Sequence, residues 1–149
     1  MTSINRTYIV LFMAANSLLA GAVQILCVLA WRGEQDTNSE QLAKSLNTNP
    51  VVVRRVLKSL ESHGLVKVRP GRYGGVTLLR PPADITLEDI HKAVEPGGAL
   101  FAMRERGNPR CRVNNTMTRV LPPLFGAANA AVDGALRRTT LSSLVEKIT

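Results

Sequence analysis

Apolar residues recur at three- and four-residue steps through much of the chain, a spacing that predicts helices with one buried face. After a helix-capping signal at Asn16-Ser17, the first helix places on one face Leu18, Ala22, Ile25, Leu26 and Leu29. A polar loop over residues 32–36 follows. A capping box of Thr37 and Glu40 then predicts a second helix, whose apolar face is formed by Leu42, Ala43 and Leu46.

The next segment combines a turn, a third helix and a change of period. Residues 47–49 are typical of a tight turn. Asn49 can cap a helix that has Pro50 at its first position, where a missing N–H costs nothing, and Gly64 ends that helix after about His63. Strands are then predicted over residues 65–69 and 76–79, and a glycine-rich turn joins them into a β-hairpin. These elements together make a winged helix-turn-helix.

Beyond the hairpin the pattern becomes helical again. Pro81-Pro82 marks the best boundary in the chain, and Thr86 is placed to cap a short helix that ends at residues 96–98. The inward positions of this helix are Leu87, Ile90 and Val94. An arginine-rich loop over residues 104–112 leads to a long apolar stretch, residues 117–136.

Two prolines interrupt that apolar stretch. Pro122-Pro123 is expected to kink or restart the helix rather than let it run straight. A last short helix is predicted to begin at Thr140.

The predicted fold class is mainly α with a small β-hairpin wing, followed by a long C-terminal dimerisation helix. We assign a winged helix-turn-helix DNA-binding domain to residues 16–82 and a sensor loop with dimerisation helices to residues 83–149. Residues 1–15 are assigned to an N-terminal extension, and Met13 is an alternative start.

The third helix is the candidate recognition helix, which in this motif enters the major groove of DNA. Its outer face offers Arg54 or Arg55 to guanine, Val51 to a thymine methyl group and Lys58 to phosphate. An arginine pair on an exposed helix is, in isolation, more often solvated, and the completeness of the motif reverses that preference here. The candidate DNA-binding residues, including those of the second helix, turn and wing, are Ser39, Thr48, Asn49, Val51, Arg54, Arg55, Lys58, Arg69, Arg72 and Tyr73.

The distribution of charge favours a polyanionic partner. The chain carries a formal net charge of +8, and residues 39–80 contain eight basic but only two acidic residues. The uncharged run from Tyr8 to Trp31 is long enough to span a membrane, but polar residues interrupt it and its later part is amphipathic. We therefore expect double-stranded DNA, not a membrane, as the partner. A second basic stretch either touches DNA flanks or is solvated: Arg104, Arg106, Arg110, Arg112 and Arg119.

The C-terminal apolar stretch predicts a homodimer. Its apolar residues recur at three- and four-residue steps, and many are alanines, which favours close helix–helix packing with a second copy. The alternative is that this stripe folds back on its own chain. The stripe consists of Leu121, Leu124, Phe125, Ala128, Ala131, Val132, Ala135 and Leu136.

Few residues offer chemistry beyond binding. No nucleophile–base pair, metal-ligand cluster or phosphate loop is apparent, so we assign no catalytic residue and no metal ligand and expect no enzyme. His63 and His91 are expected at the surface or as capping residues, and Cys27 as an inert buried thiol. Cys111 lies among arginines that favour the thiolate, which makes it a candidate redox sensor. The sequence shows no signal-peptide pattern, and we expect a cytoplasmic protein.

The chain resembles the Rrf-type family of winged-helix repressors, the family of the iron–sulfur regulator IscR and the nitric-oxide sensor NsrR. The resembling stretches are "SLLAGAVQILCVLA", "SEQLAKSLNTNPVVVRRVLKSLESHGLVKVRPGRYGGVTLLRPPADITLEDIHKAVE" and "NPRCRVNN". The resemblance implies DNA binding through helices two and three and the wing, a dimer through the long helix, and repression. Cluster-binding members have three cysteines in the loop before that helix, where this chain has only Cys111. An iron–sulfur cofactor is therefore not expected.

We accordingly predict a sequence-specific DNA-binding transcription regulator that acts as a repressor and responds to a thiol oxidant or a small-molecule effector. The alternative is a winged-helix module that binds protein or RNA and has no operator specificity.

Overall fold

The computed structural model describes residues 15–33, 36–95, 97, 99–104 and 107–148. The alternative start at Met13, the extension apart from its last residue, and Arg106 lie outside the described residues. The elements, in chain order, are α1 (Ala15–Arg32), α2 (Ser39–Leu46), α3 (Pro50–Ser62), β1 (Val66–Arg69), β2 (Gly75–Leu78), a 3₁₀ turn (Pro82–Asp84), α4 (Leu87–Val94), α5 (Arg112–Arg137) and α6 (Leu141–Val145).

The predicted limits of α3 are confirmed, because both are set by local chemistry. The side chain of Asn49 accepts a hydrogen bond from the Val51 amide at 2.9 Å, and Pro50 occupies the first helical position. At the other end His63 is the capping residue, and Gly64 adopts the left-handed conformation with φ of 69°. The predicted surface or capping position of His63 is therefore also confirmed.

The predicted caps of α1 and α2 are wrong. Helix α1 already includes Asn16 and Ser17, which therefore do not cap it, and it continues through Arg32. Helix α2 is capped by Asn38 and not by Thr37: the Asn38 carboxamide accepts from the Gln41 amide at 2.9 Å, and the Gln41 side chain accepts from the Asn38 amide at 3.1 Å.

A single hydrophobic cluster is formed by α1 to α4, the hairpin and α6. The apolar faces predicted for the first three helices and for α4 lie in or against this cluster, as expected from their spacing. Its largest fully buried apolar side chains are Ile25, Leu26, Leu42, Val53, Leu57, Leu60, Leu65, Val66, Ile85, Ile90 and Leu141.

His91 is a correction to the sequence prediction. It lies on α4 and is buried, and within the part of the chain that the structure describes neither nitrogen of its ring has a hydrogen-bond partner. Sequence pattern alone does not indicate this burial, because α4 packs against α1, α3 and α5, and periodicity does not show such contacts between distant segments.

The predicted restart of α5 at its prolines is wrong, whereas the other expected outcome, a kink at them, stays a prediction. The helix is continuous over 26 residues and includes Pro122 and Pro123. Each proline removes a hydrogen bond to the carbonyl four residues earlier, that of Thr118 or Arg119. Because these residues are all exposed, water can satisfy the freed carbonyls. None of the residues of α5 is buried.

The carboxyl end of α5 is attached to the winged unit by main-chain and side-chain bonds. The Leu87 amide donates to the Thr139 carbonyl at 3.0 Å, and the Leu141 amide donates to the Ile85 carbonyl at 2.8 Å. Beside them, the Arg137 guanidinium donates to both carboxylate oxygens of Glu88, at 2.6 and 2.9 Å.

Glu88 is the centre of a small ion-pair network. Its side chain is only 8% exposed, and Lys92 binds the same carboxylate. Hydrogen bonds from Arg137 and Lys92 lower the pKa of Glu88 to about 2, from an ordinary value of 4.5. None of the helices within the described residues has the length and apolarity needed to cross a membrane.

The lowered pKa of Glu88 predicts a component of acid sensitivity. A carboxyl group with a depressed folded-state pKa contributes its full stability above its unfolded value, and that stability is lost as the pH falls from about 4.5 towards about 2. Glu88→Gln should therefore be less stable than wild type at pH 7, and this difference should narrow by pH 3. Urea unfolding at pH 7, 4 and 3 measures the difference.

The control for this test is Asp84→Asn, which neutralises an exposed carboxylate outside the network. It should follow the wild-type pH profile. A gap between wild type and Glu88→Gln that stays constant from pH 7 to pH 3 would contradict the assignment.

Candidate nucleic-acid interface

Helix α3 presents a polar outer face opposite its buried stripe. Arg54, Arg55 and Lys58 are exposed, and the side chain of Val51 near the start of the helix is 65% exposed. The predicted division of α3 into a core face and a solvent face is confirmed. The core face consists of Val53, Val56, Leu57 and Leu60.

A cleft of about 540 Å³ opens between the start of α2, the outer face of α3 and the hairpin. Five of the ten candidate DNA-binding residues line it: Ser39, Arg54, Lys58, Arg69 and Arg72. The fold therefore brings cations from the helix and from the wing, which are separated in sequence, to the two sides of one cleft.

The other five candidates, Thr48, Asn49, Val51, Arg55 and Tyr73, do not line this cleft. The carboxamide oxygen of Asn49 accepts from the Val51 amide, and the NH₂ group, which is the donor of this side chain, is the part that can bind a phosphate. Tyr73 is 90% exposed at the wing tip, with the Arg72 guanidinium 5.9 Å from its ring centre. This exposure argues against a packing role for Tyr73 within one chain.

The wing tip depends on glycine. A Cβ atom at Gly74 would lie 1.8 Å from the carbonyl oxygen of Arg69, so no other residue fits there without moving the main chain. Gly71 has φ of 100°, which side chains rarely adopt. These two positions hold Arg72 and Tyr73 in a compact turn.

The hairpin is joined to the rest of the domain at both of its edges. Strands β1 and β2 pair antiparallel, with Val68 opposite Val76. The Val68 amide donates to a carboxylate oxygen of Glu61 on α3 at 2.9 Å, and the Val76 amide donates to the Thr37 carbonyl before α2 at 2.8 Å. Sequence reasoning missed Glu61, because an acidic residue at the end of a helix carries no signal of a main-chain partner on another element.

The segment that carries Cys111 lies against α5. Phe101 and Asn129 form two hydrogen bonds. The Phe101 amide donates to the side-chain oxygen of Asn129 at 3.0 Å, and the side-chain NH₂ of Asn129 donates to the Phe101 carbonyl at 2.9 Å. The rings of Phe101 and Phe125 lie 6.0 Å apart. Near the start of the helix the Asn115 side chain donates to the Pro109 carbonyl at 3.0 Å.

The two cysteines have different surroundings. Cys111 is exposed at the N-terminal capping position of α5, next to the exposed Arg110 and Arg112. Cys27 is partly buried on α1, and burial raises the pKa of its thiol, which keeps it protonated. The interpretation of Cys27 as an inert thiol agrees with this environment, whereas the sensing role of Cys111 stays a prediction.

Two α-helices joined by a turn, with a basic outer face on the second and a hairpin beside it, define a winged helix-turn-helix DNA-binding fold. The family model for Rrf2, described as "Iron-dependent Transcriptional regulator", matches residues 15–147. The chain belongs to this family, and it is a DNA-binding transcription regulator.

Relatives and solved structures agree with this assignment. YwnA of Bacillus subtilis, named as an HTH-type transcriptional regulator, is 35% identical over 133 residues, which cover 89% of this chain and 98% of YwnA. A crystal structure described as a DNA-binding protein is 31% identical, with a TM-score of 0.69, and covers 86% of this chain and 98% of its own. CymR of B. subtilis, the global cysteine regulator, is 27% identical, with a TM-score of 0.64 and coverages of 88% and 95%.

The family description raises the question of iron, and the donor set of this chain does not fit an iron–sulfur cluster. Such clusters take several cysteine thiolates, and the sequence has two cysteines, one on the core helix α1 and one at the start of α5. Within the part of the chain that the structure describes, no three His, Cys, Asp or Glu side chains are grouped to hold a metal ion.

Proposed function

We propose that this protein is a repressor that binds a near-palindromic operator as a homodimer, with α3 in the major groove and the hairpin on the flanking DNA. The observation that carries the proposal is the cleft that Arg54, Lys58, Arg69 and Arg72 line from two sides. Among the described residues none of these four cations forms a salt bridge with an acidic side chain. Their charges are therefore available to phosphates and base edges.

Contacts to base edges and contacts to phosphates have different roles in the proposed complex. Arg54 and Arg55, near the start of α3, can reach guanine O6 and N7, and the exposed Val51 can contact a thymine methyl group. Lys58, one turn further along α3, is placed to contact a phosphate. Arg72 at the wing tip can contact either a phosphate or the adjacent minor groove. Base contacts would specify the sequence, and phosphate contacts would fix the register of the protein on the duplex.

Arg55→Ala tests the base-reading assignment. Loss of a bidentate contact to guanine should cost about 1–3 kcal/mol of operator binding and relax specificity at one base pair. Binding to operator variants with each base replaced in turn measures both effects. Arg138→Ala removes the same charge from an exposed site beyond α5 and should leave specificity unchanged. Operator affinity equal to wild type in Arg55→Ala would refute the assignment.

The proposed dimer is supported by an unpartnered apolar face of α5. Large apolar side chains are exposed along the first half of this face: Val113, Met117, Val120 and Leu124. The second half continues with exposed alanines: Ala127, Ala131 and Ala135. An antiparallel pair of such helices related by a two-fold axis would place large residues of one copy against alanines of the other.

The remainder of the stripe predicted from sequence faces its own chain. Leu121, Phe125, Val132 and Leu136 are partly buried, and Phe125 packs near Phe101. The intramolecular alternative thus accounts for one side of α5 and leaves the exposed side for a second copy.

Leu124→Glu is the corresponding test. Leu124 is 58% exposed in one chain, and a charge on the proposed interface should convert the dimer to a monomer and weaken operator binding at least tenfold. Leu79→Glu makes the same substitution at a similarly exposed residue, 52%, outside α5, and should remain dimeric. Sedimentation equilibrium distinguishes the two. A dimer of unchanged stability in Leu124→Glu would contradict the proposed interface.

We also propose that Cys111 makes operator binding sensitive to peroxide. Its exposure at the start of α5, beside the exposed Arg110 and Arg112, makes the thiol accessible to an oxidant. Hydrogen peroxide would oxidise the Cys111 thiol to a sulfenic acid and be reduced to water. A dithiol reductant would restore the thiol: the reductant itself becomes a disulfide, and the oxygen of the sulfenic acid leaves as water.

Cys111→Ser should keep its operator affinity after peroxide treatment, whereas wild type and Cys27→Ser should both lose it and recover with dithiothreitol. Electrophoretic mobility shift of the operator measures the affinity before oxidation, after oxidation and after reduction. If Cys111→Ser responds to peroxide as wild type does, the sensing role is wrong.

A further inference from the structure

Glu61 occupies an unexpected place in the DNA-binding surface. It lies on the last turn of α3 and lines the basic cleft together with Arg54, Lys58 and Arg69. Glu61 and Glu40 are the only two acidic residues between positions 39 and 80, and both line this cleft. A carboxylate at this site repels phosphate, so charge complementarity with DNA does not explain it.

The hydrogen-bond pattern of the hairpin gives Glu61 a partner. The Leu79 amide donates to the Leu65 carbonyl at 3.0 Å, so residues 65 and 79 form a hydrogen-bonded pair. Because bonded and non-bonded pairs alternate in an antiparallel ladder, the amide of Val68 points away from β2. The Glu61 carboxylate accepts this amide at 2.9 Å and forms no salt bridge among the described residues.

We propose that Glu61 is a positioning residue, whose bond to Val68 sets the orientation of the wing relative to the recognition helix. On the opposite edge, Val76 is held by the Thr37 carbonyl at 2.8 Å. Without the Glu61 bond, β1 loses its hydrogen-bonded attachment to α3 while β2 stays held to the segment before α2. The wing tip, with Arg72, would then no longer be fixed against α3. The inference rests on the proposed contact between the wing and flanking DNA.

Comparing Glu61→Gln with Glu61→Ala distinguishes the effect of losing the hydrogen bond to Val68 from the effect of losing the negative charge. Both remove the negative charge, but only glutamine keeps an oxygen that can accept from Val68. Amide hydrogen exchange of the DNA-free protein, followed by NMR, should show Val68 exchanging about tenfold faster in Glu61→Ala and near the wild-type rate in Glu61→Gln. Thermal unfolding by circular dichroism checks that both variants are folded.

DNA binding is then measured on two duplexes. The full duplex is selected from a random library by the wild-type protein, and the trimmed duplex lacks the flanking DNA that the wings are proposed to contact, so that only the segment under the recognition helices remains. Wild type should bind the full duplex about tenfold more tightly than the trimmed one, and Arg72→Ala should lose this preference. Glu61→Ala should behave like Arg72→Ala, whereas Glu61→Gln should keep the preference.

Each contrary result has a different meaning. If Glu61→Ala and Glu61→Gln both bind more tightly, by the same factor, and keep the preference for the full duplex, Glu61 is only a repelling charge and the inference is overturned. Unchanged exchange at Val68 in Glu61→Ala overturns it as well. If wild type itself does not distinguish the two duplexes, the proposed wing contact fails, and the DNA-binding role of Glu61 fails with it.

Discussion

The wing of this regulator depends on two hydrogen bonds made by main-chain amides that point away from the hairpin. A two-stranded hairpin is marginally stable alone, and each of its outer edges needs a partner. Here Val68 is bound by Glu61 at 2.9 Å and Val76 by Thr37 at 2.8 Å, so recognition helix and wing form one surface. The hydrophobic cluster beneath the recognition helix and the wing supplies most of the stability of the fold. Burial of apolar surface is not directional, so the cluster does not by itself fix the orientation of the hairpin tip.

The long helix α5 is coupled to this surface through a narrow connection. Main-chain bonds at Leu87 and Leu141, together with the Glu88–Arg137 ion pair, hold its carboxyl end to the winged unit. The segment bearing Cys111 contacts the helix itself, near its start. A change at Cys111 would therefore act first on α5 and its proposed partner copy, and it would reach the recognition helix as a change in how two winged units are spaced.

The sequence allowed prediction wherever a feature is local. Asn49, Pro50 and Gly64 define α3 through their own conformational preferences, and apolar spacing identified the core faces. The cap of α2 was misassigned by one residue because Thr37 and Asn38 are both good caps, and the hairpin decides between them by binding the main chain of Thr37. The burial of His91, the continuity of α5 and the role of Glu61 likewise depend on packing between distant segments, which periodicity does not encode.

The surface formed by α3 and the wing is expected to recognise a specific DNA sequence. The most direct measurement is to incubate the reduced protein with fragmented genomic DNA at physiological salt, recover the bound fragments and sequence them. We expect enrichment of one or a few near-palindromic promoter sites. Uniform recovery of all fragments, lost on modest addition of salt, would show only the phosphate contribution to binding and would contradict it.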